Sequence, residues 1–287
     1  MTMLLVHGSF KIIGSEPDGD TVRFVPLDPK AWDRLPGCPV KHSAATGETR
    51  LRLDAVDALE THYDRTGPEV SQPHEFAHAA RDALLAFLGF SHVQHEGEKV
   101  VAATPATTPG WIATLGADNL GRCVALVGVG APPGADGSQV QMDVPLLRTT
   151  ANHDLLSRGL AYPTFYKKLF ADLRTELTTV AHRARTEKKG LWRDDVTTSA
   201  TGAVIPTMEA LTGLVLLPKL FRRLVDHFNL VGTSLTCLPA FLAGAQDEVE
   251  VIPTDRTELS LKPLVQVLDG NAVRMTVEVE DLVFSEG

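Results

Sequence analysis

The 287-residue chain has no apolar run of the ~18–20 residues that a membrane-crossing helix requires. Its longest candidate, Leu211 to Leu217, is stopped by Pro218, Lys219, Arg222 and Arg223. Met1 to Val6 lacks a charged n-region and a small-residue cleavage site, so no secretory signal is expected there. Cysteine is scarce: Cys38, Cys123 and Cys237 are widely spaced and odd in number. That excludes a disulfide framework and a metal knuckle. Reduced, buried thiols in a cytoplasmic protein are the expectation. A basic excess is also missing, since 27 Lys and Arg face 36 Asp and Glu, for a formal charge of −9. Non-specific nucleic-acid binders gain affinity from basic surface that displaces counterions. Any nucleic-acid role here therefore needs a local basic site, a metal or a partner. The imbalance is strongest in residues 197–287, where 6 basic residues face 12 acidic ones. No internal repeat of 20–50 residues is present.

What is present is the composition of a globular protein, with 44% apolar and 22% charged residues. The length predicts one large domain or two modest ones. Ser9 to Val25 alternates around the turn Glu16-Pro17-Asp18-Gly19-Asp20 and reads as a β-hairpin. Residues Pro26 to Glu48 read as a long loop, and Thr49 to Val56 as a strand. A helix is expected to start at Gly67-Pro68-Glu69, continue through Phe76, Ala80 and Leu84, and end at Gly89. Ser91 to Thr108 reads as a long connection. Trp111 to Leu115 and Arg122 to Val129 read as strands about a turn at residues 116–121. Leu146 to Arg158 and Tyr166 to Lys189 read as helices, the second closed by Gly190-Leu191-Trp192. Asp194 to Ala203 reads as a linker between a domain at 1–196 and an acidic accessory domain at 204–287. In the latter, Pro218 to Asn229 is an amphipathic helix, and Val249 to Val283 alternates with a hairpin turn at Asp269-Gly270-Asn271.

Four short segments stand together in order: Asp18-Gly19-Asp20-Thr21, Arg52 through Thr61 (RLDAVDALET), Gly67-Pro68-Glu69 and Asn119-Leu120-Gly121-Arg122. Gly159-Leu160-Ala161-Tyr162 and the Lys188-to-Trp192 ending fit the same series. Over residues 8–195 the chain resembles the staphylococcal nuclease (thermonuclease-like) family. The resemblance implies an α+β fold, a five-stranded OB-type β-barrel with packed helices, followed here by a smaller α+β C-terminal part. It implies an endonuclease that hydrolyses phosphodiester bonds of DNA and/or RNA with Ca²⁺, another divalent metal being an alternative. By position, Asp20 and Asp57 correspond to carboxylate metal ligands and the Ala58 carbonyl to a third. Glu60 corresponds to the residue that orients or deprotonates water, and Arg52 and Arg122 to the phosphate-holding pair. Tyr162, Phe165 and Tyr166 are candidates for a base-stacking platform.

The chemistry of these residue types supports that assignment. A phosphodiester is already an anion, so its hydrolysis needs charge neutralisation and an aligned water. A hard cation held by oxygen ligands supplies Lewis acidity. Arginine stays charged and grips two phosphate oxygens in its planar fork. Arg52, Asp57 and Glu60 lie on one strand and its exit, so one cleft can receive all three. Leu59 departs from the pattern, standing where the family usually has proline, and the loops at 26–48 and 91–108 are long.

Taken singly, Asp20 is a turn residue, Arg52 a solvated strand residue, Glu60 a surface acid and Arg122 a turn exit. Their joint occurrence favours the site. His74 and His78 sit four apart, and His92 and His95 follow, but no acid or cysteine pattern completes either pair, so polar-face histidines are expected. Lys188-Lys189 and Arg183/Arg185 read as a solvated face, with a patch that tracks a nucleic-acid backbone as the alternative. The apolar side of Pro218 to Asn229 reads as a core face, with docking on the first domain or on a second subunit as the alternative. The accessory part is expected to restrict, target or assemble the enzyme, through a protein partner or a homo-oligomer, with no membrane role. The rival reading is a non-catalytic OB-type module that binds nucleic acid or protein within a larger complex.

Overall fold

A computed structural model describes residues 2–268 and 271–285. Five strands close into a barrel: Thr2–Lys11, Thr21–Pro26, Thr49–Leu53, Cys123–Gly128 and Thr107–Ala117, in that order around the ring. Closure rests on the first strand, which is long enough to pair twice. Its Gly8–Lys11 end pairs with Pro26–Arg23, and residues from Leu4 to Lys11 pair with Thr114 to Thr107. Alternation does the rest, because inward residues such as Phe10, Ile12, Phe24, Leu51, Leu53 and Ile112 fill the barrel. A sixth strand, Gln139–Gln141, pairs with the start of the first.

Three helices cover the barrel: His74–Phe87, Ala151–Ser157 and Ala171–Thr186. Several differ from the sequence reading for local reasons. The first begins at His74 after Pro73, and not at Gly67, because residues 60–72 are tied down otherwise. Tyr63 and Val70 pair with each other, and Gln72 N–H donates to the Glu60 carbonyl at 2.9 Å. Thr49 to Val56 is broken at Ala55, whose φ of 65° turns the chain, and Val56–Asp57 leaves to pair with Tyr162–Pro163. Leu146 to Arg158 divides into Val144–Leu147 and Ala151–Ser157 because Thr150 caps the second helix. The long helix starts at Ala171, since Phe165–Tyr166 is drawn into a strand beside Val283–Phe284. The expected connection after Gly89 is a hairpin, Ser91–Glu96 with Lys99–Thr104.

The C-terminal part contains helix Pro218–Leu230, a sheet with strand order 165–166, 282–284, 249–251 and 256–258, and a second sheet of Ala203–Val204, Ala272–Met275 and Val265–Leu268. The turn expected at Asp269-Gly270 lies outside the described residues, though its flanking strands pair antiparallel. Residues 194–203, read as a linker, are packed: Thr197 is fully buried and accepts from Leu217 N–H at 2.9 Å through its hydroxyl. A second apolar core joins Leu220, Phe221, Leu224, Val225 and Phe228 to Leu59, Phe76, Ala77, Tyr162 and Trp192. The amphipathic helix thus docks on the barrel part, as one of its two readings has it. Cys123 is buried, but Cys38 and Cys237 are exposed, against the expectation of three buried thiols. Arg185, expected in solvent, is paired with Glu280 at 2.8 Å. Among the described residues no helix is long and apolar enough to cross a membrane.

Candidate active site

The site begins at the Asp18-Gly19-Asp20 turn. Asp18 Oδ1 accepts from Asp20 N–H at 3.0 Å, a local ring that orients both acids. Gly19 allows the turn to lie flat on its neighbours, since a Cβ there would stand 2.5 Å from the Ala58 Cβ and 2.6 Å from the Ala80 Cβ. The turn is thereby pressed against the Asp57-Ala58 segment and helix His74–Phe87. Asp20 also accepts from the Thr21 hydroxyl at 2.9 Å, and its carbonyl accepts from Leu53 N–H at 2.8 Å.

Asp57 follows from the break at Ala55. Its strand pairs with Tyr162, and its carboxylate is 2% exposed. Arg52 Nη2 stands 3.7 Å from Asp57 Oδ1, and the Arg52 guanidinium lies 5.4 Å from the Tyr166 ring centre. Glu60 is three residues on. Its N–H donates to Gln72 Oε1 at 3.2 Å, while Gln72 Nε2 donates to the Leu216 carbonyl at 2.8 Å. Buried Leu59 anchors this loop in the second core.

A residue not singled out as functional in the sequence occupies the centre. Arg222, on helix Pro218–Leu230, donates from Nη2 to Asp57 Oδ2 at 3.0 Å and from Nη1 to Asp57 Oδ1 at 3.3 Å. Its Nη1 also donates to Glu60 Oε1. The sequence signal is faint: Arg222 shares a helical face with buried Pro218 and Val225. Burial opposes charge on Asp57, but Arg222, Arg52 and Lys219 outweigh it and hold the carboxyl below its ordinary range. Glu60 is pushed up, because burial and the charges of Asp57 and Asp20 outweigh Arg222. Asp18 is pushed well up by burial and by the charges of Asp20 and Glu60.

The family model of staphylococcal nuclease homologues matches residues 50–194. The chain belongs to that family. No curated protein matches it. Within the matched span of this staphylococcal nuclease homologue lie Arg52, Asp57, Ala58, Glu60, Arg122 and the three aromatic candidates. Asp20 lies before it and Arg222 after it. The family is a nuclease-type one, generally dependent on divalent metal, and its barrel is the one described above.

The fold brings Arg52, Asp57 and Glu60 together with Asp20 and adds Asp18. Arg122 stands on the same outer face of the barrel as Arg52, since Arg52 aligns with Val124 on the neighbouring strand. Its Nε donates to Asp118 Oδ2 at 2.8 Å and its N–H to Asp118 Oδ1 at 2.9 Å. Two aromatic expectations need correction. Tyr162 and Phe165 are fully buried, Tyr162 against Trp192, so no base can stack on either. Tyr166 alone of the three is partly exposed, beside Arg52.

Asp20, Asp57 and Glu60 lie near the Arg52 or Arg222 guanidinium, Asp18 stands beside Asp20 and Glu60, and Lys219 is engaged by Asp247. The all-oxygen, acid-rich donor set fits a hard divalent cation. The oxygens of Asp20, Asp57 and Glu60 do not all come within 4.8 Å of one another. Arg222 lies between Asp57 and Glu60 and fills the space a cation would share with them.

Proposed function

We propose that the chain is a metal-dependent endonuclease that hydrolyses phosphodiester bonds of DNA and/or RNA, and that Arg222 restrains it. The observation that supports this reading is the cluster of Arg52, Asp57 and Glu60 around Arg222, beside Asp18 and Asp20. Asp20, Asp57 and the Ala58 carbonyl would hold Ca²⁺ or another divalent ion. Such an ion, when bound, supplies Lewis acidity at the phosphate. Glu60 takes a proton from the attacking water, and a carboxyl raised toward neutrality is better matched to that transfer than an ordinary one. Arg52, held in place by Asp57 and Tyr166, presents its fork to phosphate oxygens. Arg122, clamped by Asp118 on the same face, adds a second positive group.

Arg222 engages a metal ligand and the base at once, so both are occupied while it stays in place. This gives the C-terminal part its restricting role. The free cysteines support a reducing, cytoplasmic site of action. The rival reading, a binding module without catalysis, draws on the same arginine, which supplies fixed positive charge at the carboxylates. Incubation with single- and double-stranded DNA and RNA, with divalent metal or chelator, separates the two. Metal-dependent cleavage that falls about 10²–10³-fold in both Glu60→Gln and Arg52→Ala fits the enzyme. Tight binding with no cleavage by the wild type would point to the module. Self-association through the C-terminal part is read from the mass in solution.

A further inference from the structure

We propose that His74, His78 and Glu98 form a second cation site, built for a borderline divalent ion of the Zn²⁺ type. His74 and His78 are four apart at the start of helix His74–Phe87, which stacks their imidazoles on one face. In the sequence no acid completes the pair. In the fold the acid comes from the hairpin after the helix, where Gly97, at φ 60°, turns the chain and Glu98 reaches back over the first helical turns.

The three ligand atoms are already gathered. His78 Nε2 lies 2.9 Å from Glu98 Oε1 and 3.2 Å from His74 Nδ1, and the three side chains each offer a ligand atom within 4.8 Å of the others. A tetrahedral ion with bonds of ~2.0–2.1 Å keeps its ligand atoms about 3.3–3.4 Å apart. The 2.9 and 3.2 Å edges lie just under that spacing, and His74 is exposed at the rim of the group. Groups behind the ligands fix their aim. Ser71 Oγ lies 3.2 Å from the outer nitrogen of His74. Arg81, itself buried, donates to Glu98 Oε2 at 3.0 Å and leaves Oε1 facing the rings. Partners of this kind orient metal ligands and set their basicity.

Among the described residues this is the one group that brings three such atoms so close. Its chemistry separates it from the Asp20/Asp57 cleft. Two imidazoles and one carboxylate favour zinc-like ions, while an all-oxygen set favours calcium and magnesium. Occupancy would clip hairpin 91–104 to helix His74–Phe87. Ala80 of that helix supports the Gly19 turn, so the clip would stiffen the floor beneath the carboxylates.

The test uses the full chain, stripped with chelator and titrated with Zn²⁺ by calorimetry while excess Ca²⁺ is present. Co²⁺ absorption gives a second readout of tetrahedral coordination. One Zn²⁺ per chain is expected, insensitive to Ca²⁺. Affinity is expected to fall by at least about 100-fold in His78→Ala and Glu98→Gln, and to stay unchanged in the control His92→Ala. Zn²⁺ binding that is absent, or equally strong in the two ligand variants, overturns the site. Ions captured by the carboxylates or by exposed Cys38 and Cys237 would give the second result. Should His78→Ala fail to fold, hydrogen exchange of residues 91–104 in the wild type still decides. Protection that rises with Zn²⁺ supports the clip, and protection that ignores Zn²⁺ refutes it.

Discussion

Replacing Arg222 with Gln isolates what the C-terminal helix does to the carboxylates. Asp57 is almost wholly buried and receives two hydrogen bonds from Arg222, at 3.0 and 3.3 Å. Removing one partner of a buried ion pair costs about 3–5 kcal/mol, because the other charge stays buried. The Arg222 side chain is 23% exposed and Arg52 still faces Asp57 at 3.7 Å, so the low end, about 3 kcal/mol, applies. At about 2–4 °C per kcal/mol, melting in chelator should fall by about 6–12 °C. A divalent cation then finds vacated carboxylates. At a hundredfold excess over its Kd it returns about 2.7 kcal/mol. Arg222→Gln should therefore melt close to wild type in Ca²⁺ and well below it in chelator. The wild type should show a smaller Ca²⁺ shift, because its Asp57 is already engaged. Cleavage at limiting Ca²⁺ should rise in the variant. Thermal melts with and without Ca²⁺, beside a cleavage assay, check both parts. A folded variant whose melting ignores Ca²⁺ and whose cleavage is lost would make Arg222 a permanent member of the site, and the restraint would be wrong.

Gly19→Ala should cost about 1–3 kcal/mol by overpacking, since its Cβ collides with Ala58 and Ala80. Denaturant melts check this, and a loss within error would mean that the turn can lift off. Tyr162→Phe removes the 2.6 Å bond to Asp195 and should lower stability by about 1.5–3 kcal/mol, with KM for nucleic acid unchanged. A raised KM would restore the stacking role that burial denies it. The pH dependence follows from opposed shifts. Asp18 and Glu60, raised by burial and neighbouring acids, keep protons that the unfolded chain loses near pH 4. Above that value the unfolded state binds fewer protons than the native one, so their joint contribution falls as pH rises through their native values. Asp57 is depressed by Arg222 and Arg52 against the effect of burial, so its contribution is present above about pH 4 and lost as pH falls through its native value. Unfolding free energies from about pH 4 to 8 should decline toward neutrality, and less steeply in Asp18→Asn. An identical slope in that variant would remove Asp18 from the account.

The barrel was legible because its signals are local. Alternation marks the strands, and Asp18-Gly19-Asp20 marks the first turn. Strand ends were less legible where tertiary pairing overrides pattern. Thr49 to Ala55 alternates, yet Asn152 donates to the Asp54 carbonyl at 2.7 Å and helps hold the bend that Ala55 makes. Phe165 and Tyr166 have the character of a helix start, but Val283 and Phe284 claim them as a strand from more than a hundred residues away. The site was half legible for the same reason. Arg52, Asp57 and Glu60 lie within nine residues of one another, so their convergence is a property of one segment. Arg222 acts across a separation of 162 residues from Glu60, and an arginine in an amphipathic helix looks like any solvated one until the docking is known. Glu98 is equally illegible, since nothing in its own segment indicates that it meets His78.

Docking also decides how a restraint by Arg222 can be lifted. Helix Pro218–Leu230 buries Leu220, Phe221, Leu224, Val225 and Phe228 beside Leu59, Phe76 and Tyr162. At about 1.5–3 kcal/mol for each fully buried large side chain, detaching the helix costs on the order of 10 kcal/mol. That is comparable with the entire stability of an ordinary domain. Removing residues 200–287 would thus report unfolding rather than release. Release by rotation of one side chain costs far less, because the Arg222 guanidinium sits at the edge of the core while its aliphatic stem can stay packed. Arginine and divalent ion then compete for one set of oxygens within an unchanged fold. A pair worth a net 1–2 kcal/mol raises the apparent metal Kd about 5–30-fold. Under the proposed function, activity is low at low metal and high at high metal with no domain movement, so a metal-dependent change in overall shape by solution scattering would count against this design.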